Sequence, residues 1–263
     1  MTVADWEGLR DSAMARGVAL ILYDRLRALA DYSEIPRAIQ ENLHEVYMDA
    51  TARNMRKLFH AGVILKALRE QHLKVIVLKG LYLVESVYPD IGLRTFNDLD
   101  LLFRKADLQA AAGAFKELGY KLSTYYDFDD PNQDIKHLPP MLKAGSPIIE
   151  VHWSILEENE PFTIDLDGIW KRAIPANVAG VDVLSLSQED LLLHLSIHFS
   201  YQHRLRAGLR SLFDIAVILQ KYPDQIDWQK LVTTAKDCGA ERVVWLTLEL
   251  VQAVFGVNAP TEY

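Results

Sequence analysis

The sequence contains almost no cysteine and no long apolar run. Cys238 is the single cysteine among 263 residues, so no disulfide can form within the chain, and we expect a reducing compartment such as the cytoplasm. No apolar run approaches the roughly 20 residues that a membrane-spanning helix needs. Residues 1–17 lack the apolar segment of a secretory signal. The sequence therefore predicts a cytoplasmic protein with no membrane partner.

An excess of positive charge is also missing. Lys and Arg number 28 against 36 Asp and Glu, which gives a net charge of −8. Proteins that coat nucleic acids are usually basic because neutralising phosphates drives their affinity, so no broad nucleic-acid binding is expected. A local basic groove is still compatible with this charge. An acidic enzyme that handles nucleotides usually relies on metal ions and a few well-placed Lys or Arg residues.

Three regions follow each other along the chain. Residues 1–72 form an N-terminal helical region, residues 73–184 a strand-containing core, and residues 185–263 a C-terminal helical region. The C-terminal region is predicted to begin with a cap at Ser187 and to contain four helices, at Leu191–Tyr201, Leu209–Leu219, Trp228–Ala235 and Ala240–Phe255. The chain ends soon after Pro260 without an evident terminal element, which would fit a truncated protein.

The core alternates between β-branched runs and helical patterns, which predicts an α/β or α+β domain. The predicted elements are a strand at Val75–Leu78, a helix through about Val87, a strand at Leu99–Phe103, a helix at Ala106–Leu118 closed by Gly119, strands at Tyr120–Tyr126 and Ile148–Trp153, and an acidic loop at Asp127–Asn132.

Asp98 and Asp100 are separated by one residue at the start of a predicted strand. Side chains alternate along a strand, so both carboxylates point to one face, about 6–7 Å apart. Two acids that project together from an apolar strand are costly unless a positive charge lies between them. A divalent cation is the natural occupant, and oxygen ligands suit Mg²⁺ or Mn²⁺.

Glu150 supplies a third acid, and His152 shares its face of the later strand. If this strand lies beside that of Asp98 and Asp100, three carboxylates converge. Three acids are the minimum for a two-metal nucleotidyl transfer, in which the metals activate the attacking group and hold the triphosphate.

Lys79 and Gly80 follow a strand and open a helix. Glycine lets a phosphate approach the backbone, and the first turn of a helix presents free N–H groups to an anion. Lys79 adds a point charge for phosphate, and Arg94, four residues before Asp98, could do likewise. Each signal alone has an ordinary explanation, a solvated strand end or a simple turn, but their order along the chain favours a functional site.

The segments Val75–Leu81, Tyr88–Asp90, Gly92–Leu102, Ile149–Trp153 and Leu191–His198 resemble the uncharacterised nucleotidyltransferase family of the DNA polymerase β-like superfamily. The Arg-x-x-x-Asp-x-Asp core is also similar to bacterial abortive-infection nucleotidyltransferase toxins. The resemblance implies an α+β fold, with a mixed sheet and helices of the polymerase β type between the two helical regions. It further implies that Asp98, Asp100 and Glu150 bind metal and that Lys79 and Gly80 form the phosphate-side turn.

Other polar residues have less distinctive patterns. His137, before Leu-Pro-Pro, could line the acceptor side or be a loop residue. His194 and His198 are spaced four apart on a helix; without the glutamate of a His-Glu-x-x-His motif, packing against the core is favoured over metal binding. Arg210 and Asp214 have the same spacing and predict a helix-surface ion pair.

The resulting hypothesis is an enzyme that moves a nucleoside monophosphate from an NTP such as ATP to an unknown acceptor, with Mg²⁺ or Mn²⁺. The acceptor is a protein, an RNA or a small molecule. Two alternatives stay open. One is a non-catalytic module on the same fold that binds nucleotides or a partner, and the other is a toxin-like nucleotidyltransferase that acts on tRNA.

Overall fold

Three helices open the chain in the computed structural model, which describes residues 1–128, 136–157 and 159–257. They are α1 (Val3–Ala15), α2 (Ala19–Arg27) and the 34-residue α3 (Arg37–Glu70). Thr2 and Asp5 form a reciprocal capping box at the start of α1. Helix α3 begins directly after Pro36, whose fixed backbone suits a helix start. The predicted N-terminal helices are therefore present.

A seven-stranded mixed sheet forms the centre, in the order β3-β4-β5-β2-β1-β7-β6. Its strands are β1 (Ile76–Val77), β2 (Asp98–Leu102), β3 (Lys121–Leu122), β4 (Met141–Leu142), β5 (Ile148–His152), β6 (Ile174–Val178) and β7 (Val181–Ser185). Strand β2 pairs with β5 in parallel and with β1 in the antiparallel sense. Leu99, Leu101 and Val151 point to the covered face of these central strands and are completely or nearly completely buried.

Short helices connect these strands. Helix α4 (Lys79–Tyr82) continues as a π-helical turn through Val87. Helix α5 (Leu108–Glu117) packs Phe115 into the core and stops before Gly119, whose φ of 88° is readily adopted only by glycine. Helix α6 (Leu166–Arg172) precedes the β6–β7 hairpin. The mixed α+β fold predicted from the sequence is thereby confirmed.

Four helices complete the described chain: α7 (Gln188–Ser196), α8 (Leu209–Lys221), α9 (Trp228–Cys238) and α10 (Glu241–Phe255). Ser187 caps α7 by accepting a hydrogen bond from the backbone N–H of Asp190, as predicted. Helix α7 continues as a π-helical turn over Ile197–Gln202. Among the residues that the structure describes, none of the helices is long and apolar enough to cross a bilayer.

Some elements differ from the sequence-based expectations. The strand predicted at Tyr120–Tyr126 is only two residues long, and β4, α6 and the β6–β7 hairpin were not predicted. The hairpin turns on Ala179 and Gly180, both with positive φ, as a two-residue type I′ turn requires. Most of the predicted acidic loop, as well as Pro260, lies outside the described residues.

Candidate active site

One open cleft of about 470 Å³ is lined by all seven residues that the sequence predicted for the site, namely Lys79, Gly80, Arg94, Asp98, Asp100, Glu150 and His152. The β-strand register explains why the acids meet. Asp100 lies directly opposite Glu150 across the parallel β2–β5 pair, and Asp98 is two residues earlier on the same face. The condition set by the sequence, that the two strands be neighbours, is therefore met.

Two of the acids and one histidine form a compact group on this face, and Asp98 is not part of that group. Ligand atoms of Asp100, Glu150 and His152 all lie within 4.8 Å of one another. His152 Nε2 is 3.0 Å from Asp100 Oδ1 and 3.3 Å from Glu150 Oε2. Because a carboxylate can only accept, this nitrogen carries the hydrogen and donates it. His152 is 2% exposed, and its Nδ1 has no hydrogen-bond partner in the described part of the chain.

The pKa values of the two aspartates of β2 are shifted in opposite directions. Burial alone would raise the pKa of Asp100, but the Lys79 ammonium and the hydrogen bond from His152 outweigh it and hold the pKa well below its ordinary value. Asp98 has the opposite shift: burial raises its pKa, and the carboxylates of Asp100 and Glu150 raise it further. Negative charge on Asp98 is thus only partly compensated by the protein.

Lys79 holds an unusual position at the start of α4. Its backbone φ is 32°, a region that residues with a side chain seldom occupy and that often marks a functional turn. Its Nζ lies 3.2 Å from Asp100 Oδ1. The ammonium therefore provides positive charge beside the paired acids, within the same cleft.

Close packing around residue 80 explains why it is a glycine. A Cβ built on Gly80 would lie 2.8 Å from Phe96 Cβ, closer than real Cβ atoms come to such a neighbour, and 3.2 Å from Arg94 Nη1, which is also a tight contact. Glycine is thus required for the first turn of α4 to lie against the segment that enters β2. This requirement is compatible with the predicted phosphate turn and does not depend on it.

Arg94 lines the cleft, but its guanidinium is engaged by an acid. It donates through Nε and Nη2 to the two carboxylate oxygens of Asp214, at 2.7 and 2.9 Å. The predicted surface pair between Arg210 and Asp214 is therefore wrong, because Asp214 is only 2% exposed and forms its ion pair with Arg94. Arg210 instead donates to Thr95 Oγ1 at 3.3 Å.

Histidines form another wall of the cleft. The ring of His137 lies edge-on to that of His152, with centroids 5.2 Å apart, and His198 Nε2 is 3.1 Å from His203 Nε2. His194 is buried beside His198, and burial lowers its pKa well below the ordinary value, helped by the charge of Lys79. Burial of His194 agrees with the sequence-based expectation of packing against the core, whereas His198 lines the cleft.

The cleft also contains residues that the sequence did not predict, among them Lys136 and His203. Lys136 lies 3.9 Å from Glu157, and burial lowers its pKa, with the Lys79 charge adding to the effect. His203 follows the π-helical turn. Neither residue has a motif around it in the sequence, so only the three-dimensional arrangement identifies them.

The donor set fits a divalent cation. Carboxylate oxygens from Asp100 and Glu150 are hard ligands of the kind that Mg²⁺ and Mn²⁺ prefer, and His152 supports them by donating from Nε2 to Asp100. The raised pKa of Asp98 indicates excess negative charge beside them, which a cation would relieve.

The chain belongs to the uncharacterised nucleotidyltransferase family, whose model matches residues 2–256. This membership confirms the family that the sequence motifs indicated and the prediction of a nucleotidyltransferase enzyme. Comparison with curated protein sequences gives no match.

Several solved structures are similar to the chain at low identity. The solution structure of the antibiotic-resistance factor ANT(2″)-Ia is 13% identical over 76% of this chain and 98% of its own, with a TM-score of 0.49. The lincosamide antibiotic adenylyltransferase LnuA is 15% identical over 60% of this chain and 94% of its own, with a TM-score of 0.42. An antigenic nucleotidyltransferase-like protein from Paracoccidioides brasiliensis is 15% identical over 76% and 97%, at 0.42. Similarity at this level assigns no substrate.

Proposed function

We propose that this chain transfers a nucleoside monophosphate from an NTP to an acceptor, with Mg²⁺ or Mn²⁺ held by Asp98, Asp100 and Glu150. The observation that carries the proposal is the register of β2 and β5. It puts Asp100 opposite Glu150, with Asp98 on the same face, in a cleft that also contains positively charged Lys and Arg side chains. An acid cluster beside cations is the arrangement that binding a metal–triphosphate complex requires.

The metal supplies charge neutralisation for the triphosphate and for the leaving pyrophosphate when it is bound. The chain's own contribution is to fix the acids. His152 does this by donating from Nε2 to the carboxylate of Asp100 and by lying within reach of Glu150. Such a partner behind a metal ligand sets the orientation of the ligand and its basicity.

Three of the cations that line the cleft suit the phosphates, namely Lys79, Lys136 and Arg210. Within the described part of the chain, the hydrogen bonds of Arg210 are long, at 3.3 and 3.5 Å, and both go to Thr95. Lys79 is bound to Asp100 in the structure. If Asp100 were bound to a divalent cation instead, the Lys79 ammonium would be free to contact a phosphate. Arg94 has a different role, because its guanidinium is committed to Asp214.

The transfer itself forms one bond and breaks one. The acceptor oxygen forms a bond to the α-phosphorus, and the bond between that phosphorus and the oxygen bridging to the β-phosphate breaks, releasing pyrophosphate. The acceptor's proton leaves to a carboxylate of the cleft. A protein or small acceptor suits the negative charge of the chain better than a long RNA does.

Thermal unfolding with each of the four NTPs, in Mg²⁺, in Mn²⁺ and with a chelator, tests this proposal. A ligand that binds the folded state stabilises it by about 2.7 kcal/mol at a hundred times its dissociation constant. For a chain of this size, the melting temperature should rise by roughly 5–10 °C. The rise should require metal and should shrink in Glu150→Gln and in Lys79→Ala.

Asp167→Asn is the matched control, since this exposed acid pairs with Arg104 outside the cleft. Its thermal shift should equal that of the wild type. An equally large shift with chelator would mean that the nucleotide is held elsewhere. Absence of a shift with every NTP would favour the non-catalytic alternative. Transfer of label from the α-phosphate to a supplied acceptor then separates an enzyme from a nucleotide-binding module.

A further inference from the structure

An exposed apolar stripe runs along the outer face of α3. It consists of Met48, Ala52, Met55, Phe59 and Val63, which recur every three or four residues and therefore lie on one side of the helix. The four large side chains are 50%, 60%, 71% and 46% exposed in that order. Single exposed apolar residues need no explanation, but a contiguous patch usually marks an interaction site. We call these five residues the α3 stripe.

The opposite face of α3 already has its partners. Asn54 Nδ2 donates to the carbonyls of Ile91 and Arg94, at 2.6 and 2.7 Å, and Ile64 and Leu65 are buried in the main core. These contacts hold the segment that leads into β2. Helix α3 therefore does not use the α3 stripe to pack against the described part of its own chain.

Charged residues of opposite sign bound the stripe. Glu45 lies three residues before Met48, and Lys66 lies three residues after Val63, both exposed and on the same face. Neither residue has an ion-pair partner within the part of the chain that the structure describes. About 31 Å of helix separates them, at 1.5 Å per residue.

The sequence of the stripe is balanced about its midpoint. Met48 and Val63 lie at equal distances from the middle of the stripe, between Met55 and Arg56, as do Ala52 and Phe59 and also Glu45 and Lys66. A two-fold axis at that point would place Ala52 against Phe59 and Glu45 against Lys66; it would also place Glu41 near Glu70, but Glu41 is already paired with Arg37. A parallel arrangement would oppose Glu45 to itself and Lys66 to itself, which is unfavourable.

We propose that the α3 stripe is a homodimer interface, in which a second copy of this chain packs its own α3 antiparallel across a two-fold axis near Met55. Such an interface is isologous and self-complementary. Phe59 is its central anchor because it is the most exposed large apolar side chain of the stripe. Two equivalent ion pairs, between Glu45 of one copy and Lys66 of the other, set the direction.

Sedimentation velocity of the full chain, up to about 100 μM, tests the interface. The wild type should approach twice the monomer mass as concentration rises. Phe59→Glu should weaken self-association by at least about tenfold. The matched control is Val254→Glu on α10, where an apolar side chain 49% exposed lies outside the stripe; its self-association should equal that of the wild type.

Charge reversal tests the direction. Glu45→Lys and Lys66→Glu should each weaken the homodimer, because like charges then meet twice. An equimolar mixture of the two variants should associate again, since each mixed pair restores opposite charges at both ends. A wild type that stays monomeric at the highest concentration would overturn the proposal. So would a dimer that Phe59→Glu leaves intact, or a mixture that associates no better than its components.

Discussion

Arg94 and Asp214 form a two-pronged ion pair between the segment that enters β2 and helix α8. Nε to Oδ1 measures 2.7 Å and Nη2 to Oδ2 measures 2.9 Å, with side chains 8% and 3% exposed. The hydroxyl of Tyr88 donates to the same carboxylate at 2.8 Å. The pair therefore ties the C-terminal helices to the residues that position Asp98 and Asp100.

Removing one partner of this pair should be costly. Asp214→Ala leaves the guanidinium of Arg94 buried without its counter-charge, which typically costs about 3–5 kcal/mol of the free energy of unfolding. Urea unfolding of the metal-free protein measures the loss. The double variant Arg94→Met with Asp214→Leu should lose much less, because apolar side chains of similar volume replace both charges. A loss below about 1 kcal/mol in Asp214→Ala would show that water solvates the guanidinium.

Asp98→Asn should change stability and activity in opposite directions. Burial and the carboxylates of Asp100 and Glu150 raise the pKa of Asp98 in the fold, so the charged form is disfavoured there above about pH 4. The amide should therefore make the metal-free protein more stable at pH 7, while nucleotidyl transfer falls at least about a hundredfold. Unfolding in chelator and a labelled-NTP assay give the two readings. A destabilised variant would contradict the inferred repulsion.

His152→Ala should lower metal affinity or transfer activity by about 10–100-fold, the usual cost of losing a residue that orients a ligand. The reason is that Asp100 would lose the donor 3.0 Å from its Oδ1. Isothermal titration with Mn²⁺ and the transfer assay both report the change. The control is His137→Ala, whose ring faces the same cleft without an acid as partner, and which should have the smaller effect. Equal effects of the two substitutions would argue against an orienting role for His152.

Acid should destabilise the fold through His198. Burial lowers its pKa from 6.5 to about 2, with Lys79 and His203 contributing and Asp100 opposing. Below about pH 6.5 the unfolded chain therefore binds a proton that the folded protein does not, and stability falls by up to about 1.4 kcal/mol per pH unit. His198→Gln should remove this part of the slope between about pH 6 and pH 4. The buried neighbour His194 has a shift of the same sign, so some slope should remain. Urea unfolding across that range measures it, and parallel slopes for the two proteins would refute the assignment.

Local patterns in the sequence were enough to predict much of the site. The i, i+2 spacing of Asp98 and Asp100 in an apolar strand specifies a shared face, and the same alternation relates Glu150 to His152. Their convergence depended on one condition, the pairing of β2 with β5, which the structure meets. The fold class followed from runs of β-branched residues between helical patterns.

Long-range partners could not be predicted in this way. Asp214 is four residues after Arg210, and helical spacing alone favours an ion pair between them. In the fold, however, Asp214 is buried and forms its ion pair with Arg94. The β6–β7 hairpin was missed because its strands are only partly buried, and Pro175 within β6 argues against a strand. Lys136 and His203 reach the cleft only through the tertiary fold.

Strand β1 has a consequence for synthesis of the chain. It is only two residues long, and it pairs with β2 on one side and with β7, about a hundred positions later, on the other. A nascent chain on the ribosome cannot complete the sheet until that later hairpin has emerged. Asp214, whose ion pair with Arg94 holds the segment before β2 in place, emerges from the ribosome later still. The cleft should therefore be among the last parts of the molecule to become fully ordered during translation.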